Sequence, residues 1–477
     1  MPGGGARQKR FPHDSASRAA ASGRTLDVAG LLDQERFSGF HYRVFALSWL
    51  ITMFDGLDLA LMAYTAPYIR DELGVTSVML GRLFSAAVLG QILGGFLISH
   101  LADRFGRRPA IVASAIAFGL LTMLTALAQT YPQLLAIRFL DGMAIGGMLP
   151  VAWALNIELA PKRRRASVVA FVMLGYSAGS ASAGPLTNLI APSQGWEGVY
   201  VCAGAATFIA ALILLKWLPE SIRFLVAKGR DSAQIAGLLQ KLAPAATISA
   251  SDRFVMTDES PAKARFNVRQ LFEHDLRLIT PLLWLGYMAS AFAMFLNSSW
   301  GPSLLEEMQV PRRTAALVAS LAGLSGALVG ALLVRMTEQW GPRAAMICPA
   351  LALPVLVLLG TGLVPGDLLI GTVLITGILI AAGHAAVISM SGIYYPSAIR
   401  ASGGGWATSV AKFGAVLGPL VGGAVLGSDL PVVRTYLILA ICPLLLCLAM
   451  AAISAVLRRR RPEATDAPQT LRQGMTT

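Results

Sequence analysis

Charge is what this chain is short of. Lys and Arg number 39 and Asp and Glu 26 among 477 residues, 14% together, against roughly 25% in an average soluble protein. Hydrophobic residues make up 55% and mean hydropathy is +0.63, which excludes an ordinary soluble domain and implies an integral membrane protein. Cysteine is scarce too: Cys202, Cys348, Cys442 and Cys447 lie in apolar segments without metal-ligand spacing, so neither a disulfide framework nor a zinc site is indicated. The glycines Gly403 to Gly405 lack a lysine at phosphate-loop spacing, which argues against an ATPase. No nucleophile, metal or cofactor cluster supports an enzyme, and no cofactor is expected. The formal charge of +13 sits in short basic clusters between apolar runs without a base-reading module, which suits membrane topology and not nucleic acid.

What the chain has is long apolar runs. A bilayer core needs about 20 mostly apolar helical residues per crossing, and twelve such runs are present, near 43–66, 80–101, 109–129, 133–156, 166–190, 198–217, 278–300, 313–336, 343–363, 367–392, 403–426 and 432–457. The first starts too late and runs too long for a cleaved signal peptide, so residues 1–42 read as a mobile cytoplasmic tail. Basic clusters follow the even-numbered runs: Arg104, Arg107 and Arg108 after the second, Lys162 to Arg165 after the fourth, Arg343, Arg400, and Arg458 to Arg461 after the twelfth. Lys and Arg are retained on the cytoplasmic side of short loops, so both termini are expected in the cytoplasm, with 458–477 a second tail. One long polar connection, 218–277, divides the chain into six-helix bundles at 43–217 and 278–457.

The halves repeat. Pro67 of "APYIRDELGV" and Pro302 of "GPSLLEEMQV" lie 235 apart (302 − 67); so do Gly106 and Gly341, and Arg165 and Arg400. Three loops at one offset indicate duplicated bundles, with substrate expected at the midplane between them. The acids of "MFDGLDLALMAY" break the symmetry, since Asp55 and Asp58 correspond to Ser290 and Ala293.

"GGFLISHLADRFGRRPAI" after the second run and "RFLDGMAIGG" in the fourth resemble the loop and arginine signatures of the major facilitator superfamily. Within it the chain is most similar to the aromatic acid/proton symporters, through "FDGLDLALMAYTAPYI", "SSWGPSLL", "LPESIRFLVAKGR" and "YYPSAIRASGGGWATSVAKFGAVLGPLVGG". That resemblance implies an all-α fold of twelve helices in two pseudo-symmetric bundles. It implies a monomeric, multi-pass transporter of the bacterial inner membrane whose partners are an aromatic carboxylate such as a hydroxybenzoate, protons and the bilayer. Two departures stand at the expected site: Lys412 replaces the arginine usual in the family, and His384 stands where glutamine is common. The alternative is the same fold carrying a sugar, a dicarboxylate or an exported drug.

Ionisable residues at membrane depth are costly, at least about 2.5–3.5 kcal/mol each at a helix centre, so they nominate the site. Asp55 and Asp58, three residues apart in one helix, are expected to project to one side, toward the cavity between the bundles, and to carry protons or gate substrate. The bland alternative is that Asp55 ties to backbone freed near Gly56. The resemblance favours a proton-coupling role for Arg138, while Asp141 three residues on could simply neutralise it. Lys412, too deep to snorkel easily, is expected to hold the substrate anion, or else to pair with Asp55 or Asp58. His384, Asn297, Trp300 and Tyr64 are candidates for gripping an aromatic ring and its hydroxyls. Asp103, Arg104, Gly106, Arg107 and Arg108, together with Glu158, are expected to gate the cytoplasmic side through charge contacts between bundles, with Asp103 against a positive helix N-terminus.

Overall fold

The computed structural model describes residues 24–257, 267–396 and 399–459. Span 1 is Gly39–Leu73, span 2 Ser77–Phe105, span 3 Arg107–Thr125, and span 4 Tyr131–Gly146 continued by Met148–Leu159. Spans 5 and 6 share Arg165–Trp217; span 7 is Leu276–Glu307, span 8 Arg312–Trp340, and span 9 Pro342–Ala345 continued by Ile347–Thr361. Gly366–Tyr394, Arg400–Leu426 and Arg434–Arg459 are spans 10, 11 and 12. Among the described residues eleven unbroken stretches are long and apolar enough to cross a bilayer, and Arg165–Trp217 supplies two crossings. Gly195 turns the chain there with φ 69°, a conformation open to glycine at little cost. Asn188, before the turn, reaches Arg313 O just inside span 8, whereas Leu215, after it, accepts from Arg108 at the start of span 3, on the opposite side.

Several helices outrun their apolar stretches. Span 1 has 35 residues, about 50 Å at 1.5 Å per residue, against a hydrocarbon core of about 30 Å. Hydropathy marks only the lipid-facing portion, and the polar turns beyond it are set by caps. Span 1 ends at Gly74, in the left-handed region, whose N–H bonds to Arg70 O at 3.0 Å.

The internal repeat recurs as geometry. Arg165 donates Nε to Ala160 O at 3.2 Å, and Arg400 donates Nε to Tyr395 O at 3.2 Å. Gly179 of span 5 lies against the Met53 carbonyl of span 1, and Gly414 of span 11 against that of Met288 in span 7. Each pair of equivalents keeps the offset of 235, so the same close helix crossing is built twice.

Both described chain ends and the central segment lie on one face, called here the terminus-bearing face. Residues 24–42, read as mobile tail, are instead ordered there: β1 (Thr25–Asp27) pairs in parallel with β2 (Arg253–Val255) of the central segment, and a helix follows at Val28–Gln34. Val28, Ala29 and Leu32 are buried, and that burial is what docks the segment. Residues 1–23 and 460–477, with Arg460 and Arg461, lie outside the described residues.

Two carboxylates secure this arm. Burial raises the Asp27 carboxyl, but hydrogen bonds from Thr257, Gly30 and Ala29 outweigh it and hold the group below its usual range. Burial likewise raises Asp33, and the Lys162 amide and ammonium, at 2.9 and 3.0 Å, overcome that and hold it low. A carboxyl depressed on folding stabilises above its unfolded pKa, near about 4, and that contribution is lost as pH falls through the lower folded value. Arm docking is therefore expected to be intact at neutral pH and to loosen below about pH 4. Limited proteolysis between residues 24 and 42 across a pH series checks this; cleavage independent of pH would sink it.

The hydrogen bonds and ion pairs found between the two bundles among the described residues gather toward the opposite face. Arg70 pairs with Glu307 at 2.8 Å. Arg312 bridges Asp71 at 3.0 Å and Glu306 at 2.9 Å, over the Tyr68 ring. Deeper in, Ser320 donates to Tyr64 OH at 3.1 Å and Ser85 to Val416 O at 2.7 Å. This conformation is closed on that face.

Candidate functional site

Span 1 carries both aspartates, but its neighbours separate them. Three residues of helix turn about 300°, leaving the two side chains about 60° apart. The expectation that both address the gap between bundles is corrected for Asp58, which turns into its own bundle.

Asp58 takes a bidentate grip from span 4: Arg138 Nη1 donates to Oδ1 at 3.1 Å and Nη2 to Oδ2 at 2.7 Å. Asp141 Oδ2 stands 2.9 Å from the same Nη1, outside hydrogen-bond alignment and with no hydrogen-bond partner among the described residues. Arg138 therefore pairs locally with Asp141 and also across to span 1. Thr122 of span 3 approaches Asp58 Oδ1 at 3.4 Å and Asp141 Oδ1 at 3.5 Å, and the Tyr200 ring of span 6 lies 5.6 Å from the guanidinium carbon. The three charged side chains are 0–3% exposed. A buried ion pair needs such complete partnering, because desolvation costs several kcal/mol per ion. Thr122 and Tyr200 escaped sequence reading because neither differs locally from ordinary packing residues.

Asp55 is not among the partners of Arg138. It is 2% exposed and its Oδ2 has no hydrogen-bond partner among the described residues, so the alternative of a tie to nearby backbone is not seen. The charges acting on it are Asp58 and, across the gap, Lys412 of span 11. Lys412 is half-buried and makes no hydrogen bond or ion pair with a described residue; its charge is felt by Asp55 and by His384 of span 10. The direct salt bridge to Asp55 or Asp58 is thus absent from this conformation. His384 Nδ1 lies 3.1 Å from Ser290 Oγ of span 7, and Ser290 is the repeat counterpart of Asp55. Where one bundle presents an acid, the other presents a hydroxyl, an imidazole and an ammonium.

The remaining ring-gripping candidates divide. Asn297 is half-buried beside Gly377 of span 10. Trp300 is 1% exposed; its Nε1 donates to Pro419 O at 3.0 Å and its ring meets Phe84 of span 2 edge-on at 5.3 Å. Tyr64 is buried against Ser320. Trp300 and Tyr64 therefore belong in this conformation to the seal between bundles, not to an exposed binding wall. Their apolar surroundings could not be distinguished in sequence from a binding wall.

The charged loop after span 2 also differs from expectation. Arg107 pairs with Asp103 at 3.2 Å and Glu158 at 3.4 Å, and Arg108 donates to Leu215 O at 2.7 Å. Arg104 lies over its neighbour Phe105. Glu158 also contacts Ser221. These contacts stay within the first bundle and the start of the central segment; they do not join the bundles in this state. The helix N-terminus assigned to Asp103 is taken by Glu220, whose Oε1 accepts from Arg107 N at 2.9 Å and Arg108 N at 3.2 Å, a favourable place for an anion. Gly106, at φ 115°, leaves no room for a Cβ beside that carboxylate. Glu220 was visible in "LPESIRFL", but only as part of an amphipathic element.

Comparison with known proteins agrees with this architecture. The profile of the family described as Major Facilitator Superfamily matches residues 48–258 and 283–475. The chain is 32% identical to the 4-hydroxybenzoate transporter PcaK of Pseudomonas putida, over 85% of this chain and 90% of the relative. It is 32% identical to a gallate transporter of the same species, over 86% and 92%. Among solved structures, the xylose transporter XylE from E. coli, in a partially occluded inward-open conformation, superposes with TM-score 0.66 at 19% identity over 87% of this chain and 97% of that one; at this identity the likeness concerns the fold.

Proposed function

Because this chain belongs to the Major Facilitator Superfamily, a class of membrane transporters and not of enzymes, we propose that it takes up an aromatic carboxylate together with protons by alternating access. Relatives named for 4-hydroxybenzoate and gallate support the substrate class. The observation that carries the reading is Lys412, a cation without an ion-pair partner among the described residues, facing Asp55 across the gap between bundles. A substrate carboxylate fits that cation, with His384 and its neighbour Ser290 on the same bundle, and Asn297 about two turns further along span 7, to meet ring hydroxyls.

Coupling follows from electrostatics. A substrate anion that pairs with Lys412 offsets the one positive charge acting on Asp55 and adds a negative charge nearby, so anion binding and proton binding at Asp55 support each other. Anion and proton neutralise the gap together, which lowers the cost of closing it. Release of both on the other side restores the Lys412–Asp55 attraction. The basic loops favour cytoplasmic termini; on that reading the closed face is the outer one and the conformation described is inward-facing. One monoanion with one proton is electroneutral and draws on the pH gradient alone.

The test is accumulation of labelled 4-hydroxybenzoate in proteoliposomes under an imposed pH gradient. Asp55→Asn is expected to lower gradient-driven accumulation by about tenfold or more while leaving counterflow exchange, which needs no net proton movement, largely intact. Wild-type accumulation indifferent to the gradient, or an unimpaired Asp55→Asn protein, would refute the coupling. Preference for a hexose would refute the substrate class.

A further inference from the structure

The Asp58 cluster holds one acid too many. Arg138 supplies one positive charge, and Asp58 and Asp141 supply two carboxyl groups, all but inaccessible to solvent. The groups facing this cluster are Asp58 from span 1, Thr122 from span 3, Arg138 and Asp141 from span 4 and Tyr200 from span 6; the one cation among them is Arg138. With both carboxyls ionised the cluster would carry a net buried negative charge, which costs several kcal/mol. The two carboxyl groups meet at one guanidinium nitrogen, Asp58 Oδ1 3.1 Å and Asp141 Oδ2 2.9 Å from Arg138 Nη1, and two carboxylates gathered so closely repel each other unless one carries a proton. Geometry distinguishes them. Asp58 receives both guanidinium arms in line, as an ionised partner should, whereas Asp141 Oδ2 sits beside one arm out of alignment.

We propose that Asp141 is a second proton-bearing carboxyl of the transport cycle, protonated in this conformation and able to exchange its proton with Asp58. The step is a transfer between carboxyl groups: the O–H bond of Asp141 breaks, an O–H bond forms on an Asp58 carboxylate oxygen, and the electron pair stays on Asp141, which becomes the anion. Arg138 Nη1, already 2.9 Å from Asp141 Oδ2, then pairs with Asp141, so the guanidinium never loses its counter-ion when Asp58 is neutralised. Span 1 is thereby released from span 4 without stranding a buried charge. Asp141 thus acts as a positioning residue, through Arg138 and Asp58, and touches no substrate.

This inference rests on the proton-coupled reading above, and its test separates the two. Asp141→Asn keeps the neutral shape but cannot become the anion. It is expected to lose gradient-driven 4-hydroxybenzoate accumulation by about tenfold or more, with counterflow exchange kept within about twofold. Asp141→Glu, which restores a titratable group, is expected to recover part of the accumulation and guards against a simple folding defect. Infrared spectroscopy of the wild type at neutral pH should carry a protonated-carboxyl carbonyl band that Asp141→Asn removes and Asp55→Asn retains. Full accumulation by Asp141→Asn, or no such band in the wild type, would overturn the proposal. Wild-type uptake that ignores the pH gradient would instead remove the coupled reading, and the infrared result would still decide who holds the proton.

Discussion

Lys412→Gln is expected to abolish measurable accumulation of the aromatic acid. The lysine is the cation in the gap opposite Asp55, and removing one partner of a buried charge pair costs about 2–5 kcal/mol. At 1.4 kcal/mol per tenfold, apparent affinity should fall by about 30-fold or more. Lys412→Arg keeps the charge in a larger planar group and is expected to retain part of the binding, with selectivity altered, since the two cations present their donors differently. Equilibrium binding of labelled 4-hydroxybenzoate to purified protein reads both variants. Wild-type affinity in Lys412→Gln would remove the lysine from the site.

Arg138→Gln should have the largest effect on stability. It leaves Asp58 and Asp141 facing each other at full burial without a cation, and breaking a buried pair from one side costs about 3–5 kcal/mol. A sharp fall in the melting temperature in detergent, or failure to accumulate in the membrane, is expected. The double variant Arg138→Gln/Asp58→Asn removes both members of the pair and leaves Asp141 a neutral acid. It should recover most of the lost stability, yet remain unable to use a pH gradient. Equal melting temperatures for wild type and the single variant would mean that the triad does not hold spans 1 and 4 together.

The failures of sequence reading have a common physical cause. Trp300 and Tyr64 look like ring-gripping residues in a list of membrane aromatics, but in this conformation both lie in the seal between the bundles. Asp103 looks like the anion for a helix N-terminus because it is near in sequence; Glu220, more than a hundred residues away, occupies that place. Asp55 and Asp58 look like a pair because they are three apart, and a rotation of about 60° sends them to different partners. In each case the deciding neighbour comes from a distant segment, and local pattern contains no record of it. At Lys412 the local pattern, with no acid a turn away, agrees with the absence of an ion pair to a described residue, because there no distant neighbour intervenes.

Sequence alone determined what depends on the bilayer as solvent: twelve apolar crossings, a duplication at an offset of 235, and the few ionisable residues deep enough to need a reason. Hydrocarbon demands a continuous run of apolar residues and penalises each charge individually, and both are properties that one segment carries by itself. Which charge answers which was decided only by tertiary structure. Arg138 closes on Asp58 and Asp141, leaving Asp55 to Lys412, because electrostatic pairing depends on distance and alignment between helices that packing alone brings together.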